Sequence, residues 1–435
     1  MVYDGERLEK LTDYFSARGW VEGAAFRRRT VYYDFIEDEL QSDGRIRKIV
    51  NTNRNISGTF IEADNNNKHL TLFFTNYMSL RGFGAADYNS FFPLSAYSGL
   101  NIDGANIDPV RNNILAENGY IHVIDKVLLP QKNIDQYLKG NTKYSAFKDL
   151  LDLFTTYSYN ATITRKNEVL TGDKDSVFVK AYRGLAFALN NENYLKEDPN
   201  DAQINNYSVT IPNNAAVEDY AKRILLKYYP SGTTLKDVFY NNSNILVEYI
   251  NSHLYNTQLW SSEFSSQRNV LGESTKLVSA NIIESKALSN GAFYGVNVSQ
   301  QANVFHSVYG NVLLDPKYSF MRTVLERIGI ISALKLPTIR FMLVLVSDEH
   351  LYEMGFSYDA YNTTDPVRYK GGNGSPEMRE ILMAHIIPLE NDPIPTLTGT
   401  GILESYAGEY VKFNSLKMES SGTQDSVLTK RQLRI

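Results

Sequence analysis

The strongest constraint on this chain is an order of signals that occurs twice, about 174 residues apart. Lys143-Tyr144-Ser145 opens a segment in which Tyr144, Phe147, Leu151 and Phe154 recur at spacings of three or four, the pattern of one helix face. Lys317-Tyr318-Ser319 opens a second, with Tyr318, Met321, Leu325 and Ile328 in the same phase. Shortly before each stands an Asn-Gly pair followed by a strand-like run. Asn118-Gly119 leads through Tyr120-Ile121-His122-Val123-Ile124-Asp125 to Pro130, and Asn290-Gly291, 172 positions later, leads through Phe293 and Tyr294 to Val298. An Asn-Gly pair supplies the left-handed backbone of a tight turn, and the alternating run after it reads as a strand. A period this long points to duplicated domains, because solenoid repeats run about 20–50 residues.

Further pieces recur in the same order. After each opening helix a short apolar strand runs into a polar helix start: Tyr207 to Ile211 into Pro212-Asn213-Asn214, and Phe341 to Val346 into Ser347-Asp348. Asn213, Asn214, Ser347 and Asp348 are all good N-cap types. An apolar helix with histidine near its end follows, Leu246 to His253 in one case and Ile381 to His385 in the other, the latter continuing as Ile386-Ile387-Pro388. Val31 to Leu40 reads as a looser third example of that helix. These echoes divide the chain into three units. The first covers residues 1–131, lacks an opening helix and strand, and has a long insertion at about 41–110. The second covers 137–312, with an insertion at about 155–206, and the third covers 313–435 and stops where an Asn-Gly turn is due. Insertions of this kind lie on the surface, where function varies.

Composition removes several classes of chemistry. At 435 residues the chain is long enough for several cores. With no cysteine there is no disulfide framework, thiolate metal site or thiol nucleophile. The balance of 44 Lys plus Arg against 49 Asp plus Glu is too even for a nucleic-acid surface, and the run Arg27-Arg28-Arg29 reads as a solvated face beside acidic residues. No apolar run reaches the roughly 20 residues of a membrane helix. A tyrosine count of 30 and a charged fraction of 21% resemble exported surface proteins.

Taken together, the opening helix, the strand into Ile211-Pro212-Asn213-Asn214-Ala215, the block His385-Ile386-Ile387-Pro388 and the run from Asn118 to Pro130 resemble the fasciclin-like domain. The resemblance implies an α+β fold of tandem fasciclin-like domains, each a wedge of β-strands with packed helices. It also implies extracellular adhesion or protein interaction, with no catalytic chemistry and no cofactor. Asn118, Gly119, His122, Asp125, Asn290, Gly291, His385 and Pro388 are the motif residues, and their expected role is structural. The second copy has Tyr294 and Asn297 where the first has His122 and Asp125, which counts against a shared catalytic role for that pair. On one strand, residues three apart also point to opposite faces.

Other candidate sites reduce to local structure. Gly371-Gly372-Asn373-Gly374-Ser375-Pro376-Glu377 lacks the Lys-Ser/Thr of a phosphate loop and reads as a helix start, with Ser375 as N-cap and Pro376 in the first turn. Asp173-Lys174-Asp175-Ser176 lacks the glycine and glutamate of a calcium loop, so no metal site is expected. The insertion of the second unit carries Tyr157, Tyr159, Tyr182 and Tyr194, an aromatic set suited to sugar faces or partner side chains. The expected function is therefore non-enzymatic adhesion through loops and insertions, at the cell surface or in the periplasm, toward a protein or glycan ligand. Membrane attachment would come through a lipid anchor outside the given chain. The alternative is a carbohydrate-binding accessory protein or a carbohydrate-active enzyme. The Asn-x-Ser/Thr sites at Asn55, Asn160, Asn206, Asn241, Asn297 and Asn362 would carry glycans in a eukaryotic secreted protein, but a cysteine-free chain favours a bacterial exported one.

Overall fold

The computed structural model describes residues 26–420 except 34–35, 42–43, 51–66, 81, 113, 191–206, 337, 360, 363, 390–398 and 416. It mixes helices and strands throughout, an α+β architecture. Two compact units form. One comprises Met1–Tyr220 with Leu246–Gln300, and the other Ala221–Ile245 with Gln301–Ile435. The chain leaves the first unit after Tyr220 and returns to it within a helical stretch, Leu235–Asn251, interrupted at Asn242, whose backbone (φ −157°, ψ 84°) is extended.

Among the described residues the first unit holds three four-stranded sheets and a hairpin. Strands β1 (Phe26–Tyr33), β4 (Asn67–Phe74), β5 (Leu100–Ile102) and β6 (Ala105–Asn106) form one sheet in that order. A second has the order β2 (Ile36–Leu40), β3 (Ile46–Val50), β10 (Val177–Tyr182), β9 (Thr155–Tyr159). A third has the order β12 (Leu254–Tyr255), β11 (Tyr207–Pro212), β14 (Gly291–Val296), β13 (Ile282–Leu288). Strands β7 (Ile114–Ala116) and β8 (Gly119–Ile121) pair only with each other among the described residues. Helices α1 (Thr75–Leu80), α2 (Ala85–Phe91), α3 (Ile134–Lys139), α4 (Ser145–Asp152), α5 (Ala161–Thr171) and α6 (Asn214–Tyr220) complete it, with the end of α7 (Leu235–Asn251). One core of this unit joins Phe73, Tyr88 and Phe91 from the first sheet and its helices to Trp260, Phe264 and Tyr294. Phe83 stacks on Trp260 with ring centroids 4.5 Å apart. This core therefore draws on residues from both sides of the boundary expected near 131–137.

In the second unit, β15 (Arg340–Leu343) pairs with β19 (Ile386–Leu389). Two small antiparallel sheets accompany that pair: β16 (Phe356–Tyr358), β17 (Val367–Tyr369) and β18 (Gly372–Asn373), then β20 (Thr400–Glu404), β21 (Tyr410–Asn414) and β22 (Lys417–Ser420). Its helices are α8 (Val308–Leu314), α9 (Ser319–Ile328), α10 (Ile331–Leu334), α11 (Asp348–Glu353) and α12 (Ser375–Ala384). Ile387, Val411, Phe413 and Met418 make a core on which Met342 and Val344 pack.

Several local expectations change. Val31 to Leu40 is not a helix: β1 runs to Tyr33 and β2 occupies Ile36–Leu40, paired antiparallel with β3, because Glu39 is drawn inward to a buried lysine. The strand after Asn118-Gly119 is short, ending at Ile121, and Ile124 is held by a single bridge to Ile107. The Asn-Gly turns are two-residue hairpins over Glu117-Asn118 and Ser289-Asn290, since Ala116 pairs with Gly119 and Leu288 with Gly291. Neither Asn290 nor Gly291 has positive φ. Glycine is needed at 291 for space, because a Cβ there would lie 2.6 Å from the carbonyl oxygen of Tyr207. Ser375 is the first residue of α12, not its cap; its N–H donates to Asn373 Oδ1 at 2.9 Å and its hydroxyl to Asp365. Gly295 is a further close approach, where a Cβ would overlap the Tyr144 hydroxyl. Gly295→Ala should therefore cost about 1–3 kcal/mol by overpacking, read as a lower urea midpoint; an unchanged midpoint would mean that the Tyr144 ring moves aside without cost.

Candidate functional site

The two opening helices begin in the same way. A short 3-10 turn precedes each, capped by Asn141 accepting from Lys143 N at 3.2 Å and by Asp315 accepting from Lys317 N at 3.0 Å. A side chain from the later strand-to-helix turn then reaches back to the helix start. Asn214 Oδ1 accepts from Ala146 N and Asp348 Oδ1 from Phe320 N, both at 2.9 Å. Each satisfies a backbone donor that has no partner within its helix. The strands match in register as well: Thr210 N–H donates to the His253 carbonyl and Val344 N–H to the His385 carbonyl, each at 3.0 Å. These hydrogen bonds recur at the places where the sequence signals recur.

The copies differ at one edge. In the first unit β11 lies between β12 and β14, in parallel register with the latter from Tyr207–Gly291 to Pro212–Val296, and all six of its residues are buried. In the second unit β15 has β19 on one side, and no described strand on the other. Val344 N–H is directed at β19, so strand alternation turns the backbone groups of Phe341, Leu343 and Leu345 toward the bare edge. Those residues are half-buried where Tyr207, Val209 and Ile211 are buried. The histidines show the same contrast. His253 is fully buried, its Nδ1 donates to the Tyr249 carbonyl at 2.9 Å, and its Nε2 accepts from Gln300 N at 3.0 Å, just after β14. His385, 3% exposed, makes the equivalent Nδ1 bond to the Ile381 carbonyl at 2.6 Å, but its Nε2 is buried without a partner. Burial lowers the pKa of both rings, His253 to about 4. An apolar strand edge without a described neighbour is a site suited to an extended peptide, which brings backbone N–H groups in a row, and an unmet acceptor where the first unit has the Gln300 donor fits the same reading.

The described tyrosines of the insertion differ in their surroundings. Tyr157 donates to Glu39 Oε1 at 2.6 Å, and Tyr182 is buried with its hydroxyl on Asp135. Tyr159 is exposed, with its ring 6.0 Å from Phe178, and Tyr194 lies outside the described residues. Of the motif residues, Asn118 sits exposed in its hairpin loop, Gly119 opens β8, and Pro388 stands exposed on β19. Asn290 is buried, accepting from Ile134 N at 3.0 Å and donating to the Leu189 carbonyl at 2.8 Å. Asp125 accepts from Asn106 N and Nδ2 at 2.9 and 2.8 Å, while His122 is half-buried outside β8, its pKa lowered by that burial. Asp173 pairs with Lys48 at 2.9 Å.

Sequence reasoning missed a buried ionic cluster. Lys180, 1% exposed on β10, lies 3.1 Å from Asp135 of α3 and 3.3 Å from Glu39 of β2. Lys148 adds a contact to Asp135 at 3.4 Å. Burial alone would raise the Asp135 carboxyl, but the ammonium groups of Lys148 and Lys180 and the Tyr182 hydroxyl outweigh it and hold it well below the usual range. The one sequence cue was a lysine inside the apolar run Val177-Phe178-Val179-Lys180-Ala181-Tyr182.

Among the described residues no helix is long and apolar enough to cross a membrane. No protein-family model matches the chain, and no curated protein matches its sequence. Among solved structures, a FAS1 domain pair from the insect cell adhesion molecule fasciclin I is similar over 49% of this chain and 81% of that one, at 13% identity and a TM-score of 0.20.

Proposed function

We propose that this chain is a non-enzymatic interaction protein, exported and held at the cell surface or in the periplasm, built from tandem fasciclin-like units. It binds a partner by adding an extended segment to the bare edge of β15. The observation that carries this reading is the edge itself: the register that β14 completes in the first unit is open among the described residues of the second, where His385 Nε2 also lacks the donor that Gln300 gives His253. Main-chain hydrogen bonds supply affinity in such strand addition, and alternate side chains supply selectivity. The fasciclin-like assignment is supported by the motif residues and by the repeated caps at Asn214 and Asp348.

The test is a titration with a labelled synthetic peptide of residues 289–300, which carries β14 and the Gln300 donor. Fluorescence anisotropy should show saturable binding, weakened about tenfold or more by Leu343→Pro, which removes an N–H facing the bare edge and leaves the β19 side intact. A folded protein that shows no binding up to about 1 mM peptide would sink the reading.

A further inference from the structure

The molecule carries a second unmatched piece. Hairpin β7–β8 has the same two-residue loop as β13–β14, and Gly119 corresponds to Gly291 by the 172-residue offset. All six residues of β14 are buried, whereas in β7–β8 Ile114 is 43%, Ile121 53% and Leu115 74% exposed. Ile114 and Ile121 are cross-strand partners on one face and Leu115 lies on the other, so the hairpin shows apolar side chains on both. A two-stranded hairpin with both faces in water is marginal alone, and an apolar strand edge is a template for pairing.

We infer that the hairpin Ile114–Ile121 of one copy occupies the bare β15 edge of a second copy. This rests on the reading of that edge as a strand-addition site, and it names the occupant. The register follows from the first unit: Gly291 lies beside Tyr207 and Phe293 beside Val209, so Gly119 of one copy lies beside Phe341 of the next, and Ile121 beside Leu343. Such a contact is heterologous, because it joins two different surfaces. Each added copy leaves one hairpin and one edge open, and the assembly grows head to tail.

Sedimentation velocity on the full chain from about 1 to 200 μM should show mass rising with concentration past the dimer. Ile121→Asp, at an exposed position, and Leu343→Pro should each be monomeric alone. Mixed in equal amounts they should form 1:1 dimers and nothing larger, since the first retains its edge and the second its hairpin. Where Leu343→Pro does not fold, excess 289–300 peptide on the wild type takes its place and should return the assembly to monomer. A wild type that stays monomeric while the peptide binds overturns the second copy as occupant and leaves strand addition standing, with a foreign strand or this chain's own residues on the edge. Monomer with no peptide binding overturns both. An oligomer unaffected by either substitution or by the peptide also overturns the proposal.

Discussion

Lys180→Met should destabilise the first unit by about 3–5 kcal/mol, read from urea unfolding at pH 7, the scale for breaking a buried ion pair. The cost comes from what remains. Asp135 is fully buried and Glu39 nearly so, and each would lose an ammonium within 3.3 Å. A comparison variant with Lys180→Met, Asp135→Asn and Glu39→Gln should recover much of the loss, because neutral amides tolerate burial better than an unpaired carboxylate. The pH dependence has a definite sign. The folded Asp135 carboxyl is depressed, so its contribution is full above the unfolded value near 3.9 and is lost as pH falls through its folded value. Burial alone would lower the Lys180 pKa, but Asp135 and Glu39 raise it, so its contribution is full below about 10.4 and fades in strong base. The gap between wild type and Lys180→Met should therefore narrow in acid, where the carboxyls protonate in both proteins. A gap below about 1 kcal/mol at pH 7 would mean that Lys148 and water meet the cluster's needs alone.

Acid should also act through His253. Its Nδ1, facing the Tyr249 carbonyl and the Ser252 hydroxyl, and its Nε2, facing the Gln300 N–H donor, suit the neutral ring. Burial brings its pKa to about 4, below the unfolded value near 6.5, so the unfolded chain binds the proton first as pH falls. Stability should be full above about pH 6.5 and decline by about 3 kcal/mol on the way to pH 4. His253→Gln should flatten that slope while costing stability at pH 7, because a flexible amide replaces the buried ring packed on Phe147 and Tyr249. His385→Leu should cost less than His253→Leu, since no donor faces Nε2 there. Equal acid slopes for wild type and His253→Gln would assign the lability to other groups.

Much of the architecture was legible because it rests on local chemistry. The helix phases of Tyr144 and Tyr318, the cap residues Asn213 and Ser347, the histidine-ended helices and the two Asn-Gly hairpins are short-range patterns, and the helix and hairpin signals recur at offsets of 174 and 172 residues. The misread elements depend on long-range partners. Val31 to Leu40 became strands because β2 pairs with β3 and sends Glu39 to Lys180, a residue 141 positions away. Tyr157 and Tyr182 looked like surface rings and instead donate to buried carboxylates.

The candidate site shows the same division. An apolar strand from Phe341 to Val346 and an Asn-Gly strand beginning at Gly119 can be read in one dimension, because periodicity and turn chemistry act over a few residues. That β11 has a partner on both edges, that β15 lacks one among the described residues, and that His385 Nε2 faces no donor became visible only in three dimensions. Strand pairing and burial are settled by which distant segments meet, and no local propensity encodes that.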